Sequence, residues 1–569
     1  MRRPPGARLI VLLVMFVFAF GGITVRLGVL QLRDQRAYAA QGLAQRVHTI
    51  ALPATRGMIL DRDRIPLAIT VQARDICADP RAVVDPVGTA EAIAPLLDMR
   101  PHTMLRALTS RGTFAFLARQ ADAGVAAKVE ALDLPGIFTT PVTKREYPAG
   151  NLASQTLGFV NIDGAGVYGL ESQFESLLAG EPGQERVELS PGGQVIPEGV
   201  QVLDPPIPGS TVVTTIDRQI QFQAQQYLQQ AVQENHAVGG TIIVMDPKSG
   251  DIYAMANYPT FDPNAFSAVN PSRFQDRALT DTFEPGSVNK IITAAAGLEV
   301  GGVSMSQRFS VPDQRTIGDF TIHDSEIHPV EQMTLGDIIT KSSNIGASEV
   351  ADKVGRTSLA TYLARFGYGR TTGLAFPNEA TGDVPATPDW TDTSLATISY
   401  GQGITVTPMQ MASVYATVAN GGTLVQPRLV LGTKDPSGAF HPVPDSPTRS
   451  VIGRDTAGQL TQMLSSVVSD GTGTNAAIPG YQVAGKTGTA LIPNPQGGYL
   501  KNDYVASFIG FLPASSPRVV VAAIIDRPST VFGGVAAAPL FQQVARYAIH
   551  RLGIAPGEPV PLPPSALHP

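Results

Sequence analysis

Leu9 to Val25 carries no charge, and after Arg26 the apolar pattern resumes as Leu27 to Leu32. About 20 apolar residues in a helix cross a bilayer, and Arg26 near the far end can extend its head to the interface. One membrane-crossing helix is therefore predicted over 9–32. Arg2, Arg3 and Arg8 precede it, and a basic flank is retained on the cytoplasmic side. Residues 1–8 are expected inside and everything beyond about residue 33 outside. Ala37-Tyr38-Ala39 gives a weak cleavage pattern, but the run exceeds the usual signal core of about 7–15 residues. An uncleaved anchor is expected rather than a removed leader.

Beyond the anchor the pattern shortens. Residues 33–55 read as a juxtamembrane helix and linker. From Arg56 to about residue 205 there are short β-like runs, a helical stretch at Asp122 to Leu132, and turns at Tyr147-Pro148-Ala149-Gly150 and Gly164-Ala165-Gly166. No cluster of catalytic residue types stands out there, so 56–205 is read as a pedestal or interaction domain. A Pro-rich joint, Asp204-Pro205-Pro206-Ile207-Pro208-Gly209, leads into a larger domain over 206–555. Its predicted strands are Thr211–Ile216, Thr241–Met245, Asp251–Ala256, Tyr504–Phe511 and Val519–Ile525. Its predicted helices include Gln219–Gln233 and Ala536–Arg551. Asp246-Pro247-Lys248-Ser249-Gly250 between two apolar runs is a hairpin signal. Strands at both ends with helices between them predict an α+β domain, an antiparallel sheet flanked by helices. The Pro-rich tail, 556–569, is expected to be disordered.

With 569 residues, 43% of them apolar, the chain is too long for one core. The formal charge of -6 supplies no basic field for a nucleic-acid backbone, which sets nucleic acid aside. Cys77 is the single cysteine, so no internal disulfide can form, and it reads as a small buried apolar residue. The histidines lack metal spacing; His323 and His328 are the closest pair and read as structural. Trp390 reads as packing. No phosphate-cradling Gly-rich loop follows a strand, and no cofactor or metal is expected.

The chemistry starts at Phe283-Glu284-Pro285-Gly286-Ser287-Val288-Asn289-Lys290, ahead of an apolar helical run from Ile291 to Leu298. Pro285 suits a first helical position and would place Ser287 in the first turn. Lys290, three residues on, rises onto the same face. A serine hydroxyl is a weak nucleophile until a neighbour takes its proton, and a lysine made neutral by burial or by a second cation can do that. Lys341-Ser342-Ser343-Asn344 opens another helix; Ser342 can relay a proton and Asn344 can hold a carbonyl or the lysine. Val483-Ala484-Gly485-Lys486-Thr487-Gly488-Thr489-Ala490 reads as a strand. There Thr487 and Thr489 share a face suited to a peptide carboxylate, with Lys486 adding charge. Each pattern is weak alone: Ser287-Val288-Asn289 also fits S-x-N, and Lys248-Ser249-Gly250 fits K-[ST]-G within a turn.

Together, S-x-x-K, S-x-N and K-T-G in this order resemble the motif set of penicillin-binding proteins and class A β-lactamases. Arg56-Gly57-Met58-Ile59-Leu60-Asp61-Arg62 with Pro66-Leu67-Ala68 is similar to the stretch that opens the pedestal of class B penicillin-binding proteins. It lacks that stretch's glycine at Arg64-Ile65. Arg145-Glu146-Tyr147-Pro148, Gly169-Leu170-Glu171 and Tyr400-Gly401-Gln402-Gly403-Ile404-Thr405-Val406-Thr407-Pro408 resemble further motifs of that class. Phe114-Ala115-Phe116-Leu117-Ala118-Arg119-Gln120 and Phe532-Gly533-Gly534-Val535-Ala536-Ala537-Ala538-Pro539 resemble its septal branch, the penicillin-binding protein 3 type.

The resemblance implies a serine D,D-transpeptidase that cross-links peptidoglycan stem peptides and is acylated by β-lactams. Ser287 would be the nucleophile, Lys290 its base, and Ser342, Asn344 and Lys486 the remaining catalytic set, with Thr487, Gly488 and Thr489 binding substrate. It also implies a polytopic glycan polymerase and other divisome proteins as partners. Between Asn344 and Lys486 no E-x-x-x-N stretch occurs, and Glu349 and Glu379, the only glutamates there, read as exposed charges. Slow deacylation is expected. The rivals are an elongation-type transpeptidase, a D,D-carboxypeptidase or β-lactamase, and a non-catalytic scaffold or β-lactam sensor.

Overall fold

The structure is a computed structural model that describes residues 5–33, 42, 46–189 and 195–565. The chain forms two compact units, Met1–Thr55 with Gly180–Pro208, and Arg56–Ala179 with Gly209–Pro569.

In the first unit, an α-helix over Pro5–Gly28 runs on into a π-helical turn, Val29–Arg33. Gly6–Gln31 is long and apolar enough to cross a membrane, and its large side chains face outward, as a lipid-facing helix requires. The rest of the unit is an antiparallel sheet of Val47–Leu52, Gly183–Leu189 and Val195–Asp204, in that order. Most of the expected juxtamembrane helix, at 34–41 and 43–45, lies outside the described residues. Val47–Leu52 is a strand rather than linker.

In the second unit, Pro66–Ala78 pairs antiparallel with both Ala115–Asp122 and Ile137–Glu146. Short helices cover one side of it, and Ile76, Ile93, Leu108 and Val129 meet in a small core. Asp122, expected as helical, ends a strand, and the helix is Ala123–Glu130. The segment is tied down by Glu171, which is fully buried and takes Arg56 Nε at 2.8 Å and Arg145 Nε at 2.7 Å. Ile59–Leu60 pairs parallel with Thr211–Thr214, so one sheet joins the residues before 179 to those after 209.

Five antiparallel strands centre the larger part, in the order Ile252–Tyr258, Gly239–Met245, Val519–Asp526, Tyr499–Leu512 and Ala484–Pro493. Alternation along a strand sends Ile243 and Met245 to one core, and Ile242 and Val244 to the other. Both faces are covered over most of the sheet, which is why Gly239–Met245, Ile252–Tyr258 and Val519–Asp526 read as near-continuous apolar runs. Helices Arg218–Glu234 and Gly533–Leu552 contribute to one core, and Lys290–Glu299, Asn344–Val354 and Pro408–Ala419 to the other. This is the α+β architecture expected, with Ala484–Pro493 at the edge of the sheet. Tyr499–Leu512 begins five residues before the predicted strand, because polar Lys501, Asn502 and Asp503 are held in a hairpin with no apolar signal of their own. The tail also departs from expectation: Val560 and Pro564 hydrogen-bond the domain surface.

Candidate active site

Ser287 sits in a single 3₁₀ turn, Gly286–Asn289, from which the α-helix Lys290–Glu299 continues. Pro285 is the residue preceding that turn rather than its first member. The turn is wedged in place by glycine. Gly286 has φ +57°, and Gly401 has φ +86° with an imagined Cβ only 2.3 Å from Gly286 O. Gly286 N–H donates to Gly401 O at 3.0 Å. Below the turn, a Cβ on Gly488 would meet Ser507 Oγ at 2.3 Å and Val288 Cγ1 at 3.0 Å. Only a residue without a side chain lets the edge strand approach the nucleophile turn this closely. Asn289, fully buried, anchors the other side: its Nδ2 donates to Ile398 O at 2.8 Å and its Oδ1 accepts from Tyr368 OH at 2.9 Å.

Lys290 is fully buried. Its Nζ donates to Asn344 Oδ1 at 2.8 Å, to Ser342 Oγ at 3.3 Å and to the Ser342 carbonyl. Burial pushes its pKa down to about 7, against a smaller upward pull from the Asp324 carboxylate. Among the described residues no side-chain hydrogen bond joins Ser287 to Lys290; the lysine is held by the second motif. That motif lies where two helices meet. Leu335–Lys341, started by a Thr334–Asp337 capping box, ends at Ser342 in the left-handed region, and Asn344–Val354 starts with Ser343 as its cap. The reversal at Ser342 turns its hydroxyl and carbonyl toward the lysine.

Asp324 organises this junction and carried no signal in the sequence. Its Oδ1 accepts from Asn344 N at 2.5 Å and Ile345 N at 3.0 Å, and its Oδ2 accepts from Ser343 Oγ at 2.6 Å. A carboxylate facing the start of a helix is favoured by the helix dipole. His328 Nε2 lies 3.2 Å from the same carboxylate. Burial lowers the His328 pKa, but the Pro329 carbonyl and Asp324 outweigh it and the net shift is upward. The reading of His328 as structural is consistent with this pairing.

On the edge strand, Lys486 is buried, its Nζ 3.3 Å from Thr487 O and 3.4 Å from Thr487 Oγ1. Burial, then repulsion by Lys290, holds its pKa well below the ordinary lysine value. Thr487 Oγ1 pairs with Thr472 Oγ1 at 2.6 Å, and Thr489 Oγ1 accepts from Gly533 N at 3.1 Å. Ser287, Ser342, Asn344, Thr487 and Thr489 line one cavity of about 660 Å³. Tyr400, Tyr504 and Phe532 add aromatic wall, and Thr472, Thr474 and Asn475 add polar wall. Glu326, an exposed carboxylate that precedes Asn344 in the chain, also lines it. Glu349 and Glu379, expected as exposed charges, are not simply exposed. Glu349 is half-buried, and burial raises its pKa. Glu379 Oε1 accepts from Thr372 N at 2.6 Å, and neither residue lines the cavity. Chemically, the cavity offers a hydroxyl on a rigid turn and a hydroxyl-amide pair, and that pair holds the buried Lys290 amine, while the buried Lys486 amine contacts Thr487 of the wall.

Residues 240–546 match the model of the penicillin binding protein transpeptidase domain, and residues 51–214 that of the penicillin-binding protein dimerisation domain. Penicillin-binding protein PbpB of Mycobacterium tuberculosis is 35% identical, over 98% of this chain and 86% of that protein. Peptidoglycan D,D-transpeptidase FtsI of Escherichia coli is 33% identical, over 88% of this chain and 84% of its own length. The crystal structure of penicillin binding protein 3 from Mycobacterium tuberculosis complexed with aztreonam superposes with a TM-score of 0.72 at 32% identity. That match covers 90% of this chain and all of the other. The chain belongs to the penicillin-binding proteins, as an enzyme of the class B type in which a dimerisation region precedes the transpeptidase domain.

Proposed function

We propose that this protein is a septal peptidoglycan D,D-transpeptidase, anchored by its N-terminal helix with residues 1–8 in the cytoplasm and the catalytic domain outside. Ser287 attacks the penultimate D-Ala carbonyl of a stem peptide, and Lys290, neutral in its buried position, takes the hydroxyl proton. The N–H groups of Ser287 and Thr489 receive the oxyanion; one such donor is typically worth about 3–4 kcal/mol. Ser342 passes the proton to the leaving D-Ala, supported by Lys486, while Asn344, Thr487, Gly488 and Thr489 orient the peptide. An amine from a second stem peptide then attacks the acyl-enzyme carbonyl, forming the cross-link amide as the Ser287 ester bond breaks and the amine proton returns to Ser287 Oγ through Lys290. No cofactor takes part.

The supporting observation is the hold of Lys290 on Ser342 and Asn344 at the wall of the cavity that Ser287 lines. A base with a pKa of about 7 is poised to accept a proton at neutral pH. The septal role rests on the two short motifs at Phe114–Gln120 and Phe532–Pro539, and it brings with it a glycan polymerase among other division proteins as partners. Labelling with a fluorescent penicillin, with imaging of the cell, tests both levels. Ser287→Ala must abolish the label, and the label must concentrate at the septum. Label along the side wall would instead favour the elongation role.

A further inference from the structure

The Pro-rich segment after the last helix lies along the domain and touches both elements that bring chemistry to Ser287. Tyr481 OH donates to Ile554 O at 2.6 Å, and the approach at Gly557 is so close that a Cβ there would lie 2.5 Å from Ser515 Oγ. The side chain of Gln482 then grips one residue by both backbone groups. Val560 N–H donates to Gln482 Oε1 at 2.5 Å, and Gln482 Nε2 donates to Val560 O at 2.9 Å. Gln482 leads directly into the Ala484–Pro493 strand that carries Lys486. Farther along, Pro563 presses on Gly336, where a Cβ would lie 3.0 Å from the proline ring. Thr334 Oγ1 lies 3.2 Å from Pro564 O, and Ser565 Oγ donates to Asp337 Oδ1 at 2.5 Å. Thr334 and Asp337 form the capping box of Leu335–Lys341, the helix that ends at Ser342.

We propose that residues 556–565 are a positioning strap that fixes the spacing between the Lys486 strand and the Ser342 helix. The proposal rests on the transpeptidase reading above. Proline suits such a device, because a chain with preset φ is stiff and extended and loses little freedom on docking. Leu335–Lys341 is only seven residues long, too short to hold itself in place. Clamping its first turn therefore fixes where Ser342, the residue that ends it, presents the hydroxyl and carbonyl that Lys290 binds.

The test compares the full chain with one ending at Gly557 and with Gln482→Ala. It measures acylation by a fluorescent penicillin across its concentration range, together with the thermal midpoint. The saturating acylation rate should fall on the order of tenfold, as for a sub-ångström misplacement of reacting groups. The half-saturating concentration should stay within about twofold, as expected when only the chemical step is affected. A synthetic peptide spanning 558–569, added in excess to the shortened chain, should restore part of the rate. Full-rate acylation without the strap overturns the proposal. So does a rate loss that only follows a lower melting point and that the peptide leaves unrestored. Absence of Ser287-dependent labelling in the full chain sinks the transpeptidase reading and the strap with it, whereas normal labelling of the full chain isolates the strap as the point of failure.

Discussion

Lys290 Nζ lies 2.8 Å from Asn344 Oδ1. The lysine one turn beyond the nucleophile is thus oriented by a different helix, and its proton is shared with groups that approach the substrate side of the cavity. With the pKa lowered to about 7 by burial, the acylation rate should climb as pH rises through about 7 and then level off. A pH profile of penicillin acylation that is flat over about pH 6–8 contradicts a role for Lys290 as base. Lys290→Arg, charged at every accessible pH, should lose most of the rate.

The same shift acts on stability, with a definite sign. An unfolded lysine keeps its proton up to about 10.5, whereas folded Lys290 releases it near 7. Between those values the unfolded chain binds more protons, so stability from this group increases with pH, by at most about 1.4 kcal/mol per unit. Lys486, also lowered by burial, contributes in the same sense. Lys290→Met should reduce the rise in thermal midpoint between about pH 7 and 10 relative to the parent, since no proton is left to bind at that position. An identical pH dependence in both proteins would rule the shift out.

Asp324→Asn should weaken two things at once. The carboxylate accepts from Ser343 Oγ, Asn344 N and Ile345 N, and an amide cannot accept at both ends. A loss of about 2–4 kcal/mol is expected by chemical denaturation. Asp324 also raises the Lys290 pKa, so its neutralisation should move the acylation profile toward lower pH even as the rate falls. A shift in the opposite direction would remove Asp324 from the electrostatics of the site.

Why Asp324 was invisible in the sequence while Lys290 was not comes down to range. The S-x-x-K pair is local: three residues along a helix fix the geometry whatever surrounds it. Asp324 reaches Asn344 from a loop twenty residues earlier, and no spacing rule links a loop carboxylate to the helix it caps. Gly239–Met245, Ile252–Tyr258, Val519–Asp526 and the second half of Tyr499–Leu512 were legible because they are buried on both faces and hence largely apolar, whereas the edge strand Ala484–Pro493 was legible from the alternation of Lys486, Thr487, Gly488 and Thr489. The polar start of Tyr499–Leu512 and the docked tail were not, since both depend on single side chains, such as Gln482, that happen to face them. The Gly488 contact was half legible: a strand glycine signals close approach, but only the structure supplies Val288 as the neighbour.

Gly488→Ala should impair acylation out of proportion to stability. The added methyl would crowd Ser507 Oγ, which can rotate, and Val288 Cγ1 at 3.0 Å, which is fixed in the nucleophile turn. A displacement of a few tenths of an ångström at Ser287 is expected to lower the acylation rate about 10–100-fold, with a stability loss of about 1–3 kcal/mol. Unchanged acylation would mean that the turn is not held by the strand.

Glu171→Gln should do the reverse. Glu171 is fully buried between Arg56 and Arg145, and Tyr147 OH lies 3.3 Å from it. Removing its charge leaves the Arg145 guanidinium facing a neutral amide and Arg56 with Glu175 as its remaining carboxylate at 2.7 Å, at a cost of about 3–5 kcal/mol. The thermal midpoint should drop, while the acylation rate per folded molecule stays that of the parent, because the residue lies outside the cavity lining.

Deacylation offers the last test, and it turns on Glu326. In class A β-lactamases a glutamate activates the water that hydrolyses the acyl-serine, and a carboxylate in that role must face the ester. Glu326 is the carboxylate that lines the cavity among the described residues, but it is exposed and no hydrogen bond fixes it there. A general base must be held within about 3 Å of its water, and a free side chain at an open rim has many other positions to occupy. The acyl-enzyme formed with a penicillin should therefore persist for many minutes, and Glu326→Gln should leave its lifetime unchanged within about twofold. The measurement is decay of the labelled band after removal of free reagent. Turnover within seconds that is abolished by Glu326→Gln would show that this rim carboxylate serves water, making the protein a hydrolase rather than a transferase.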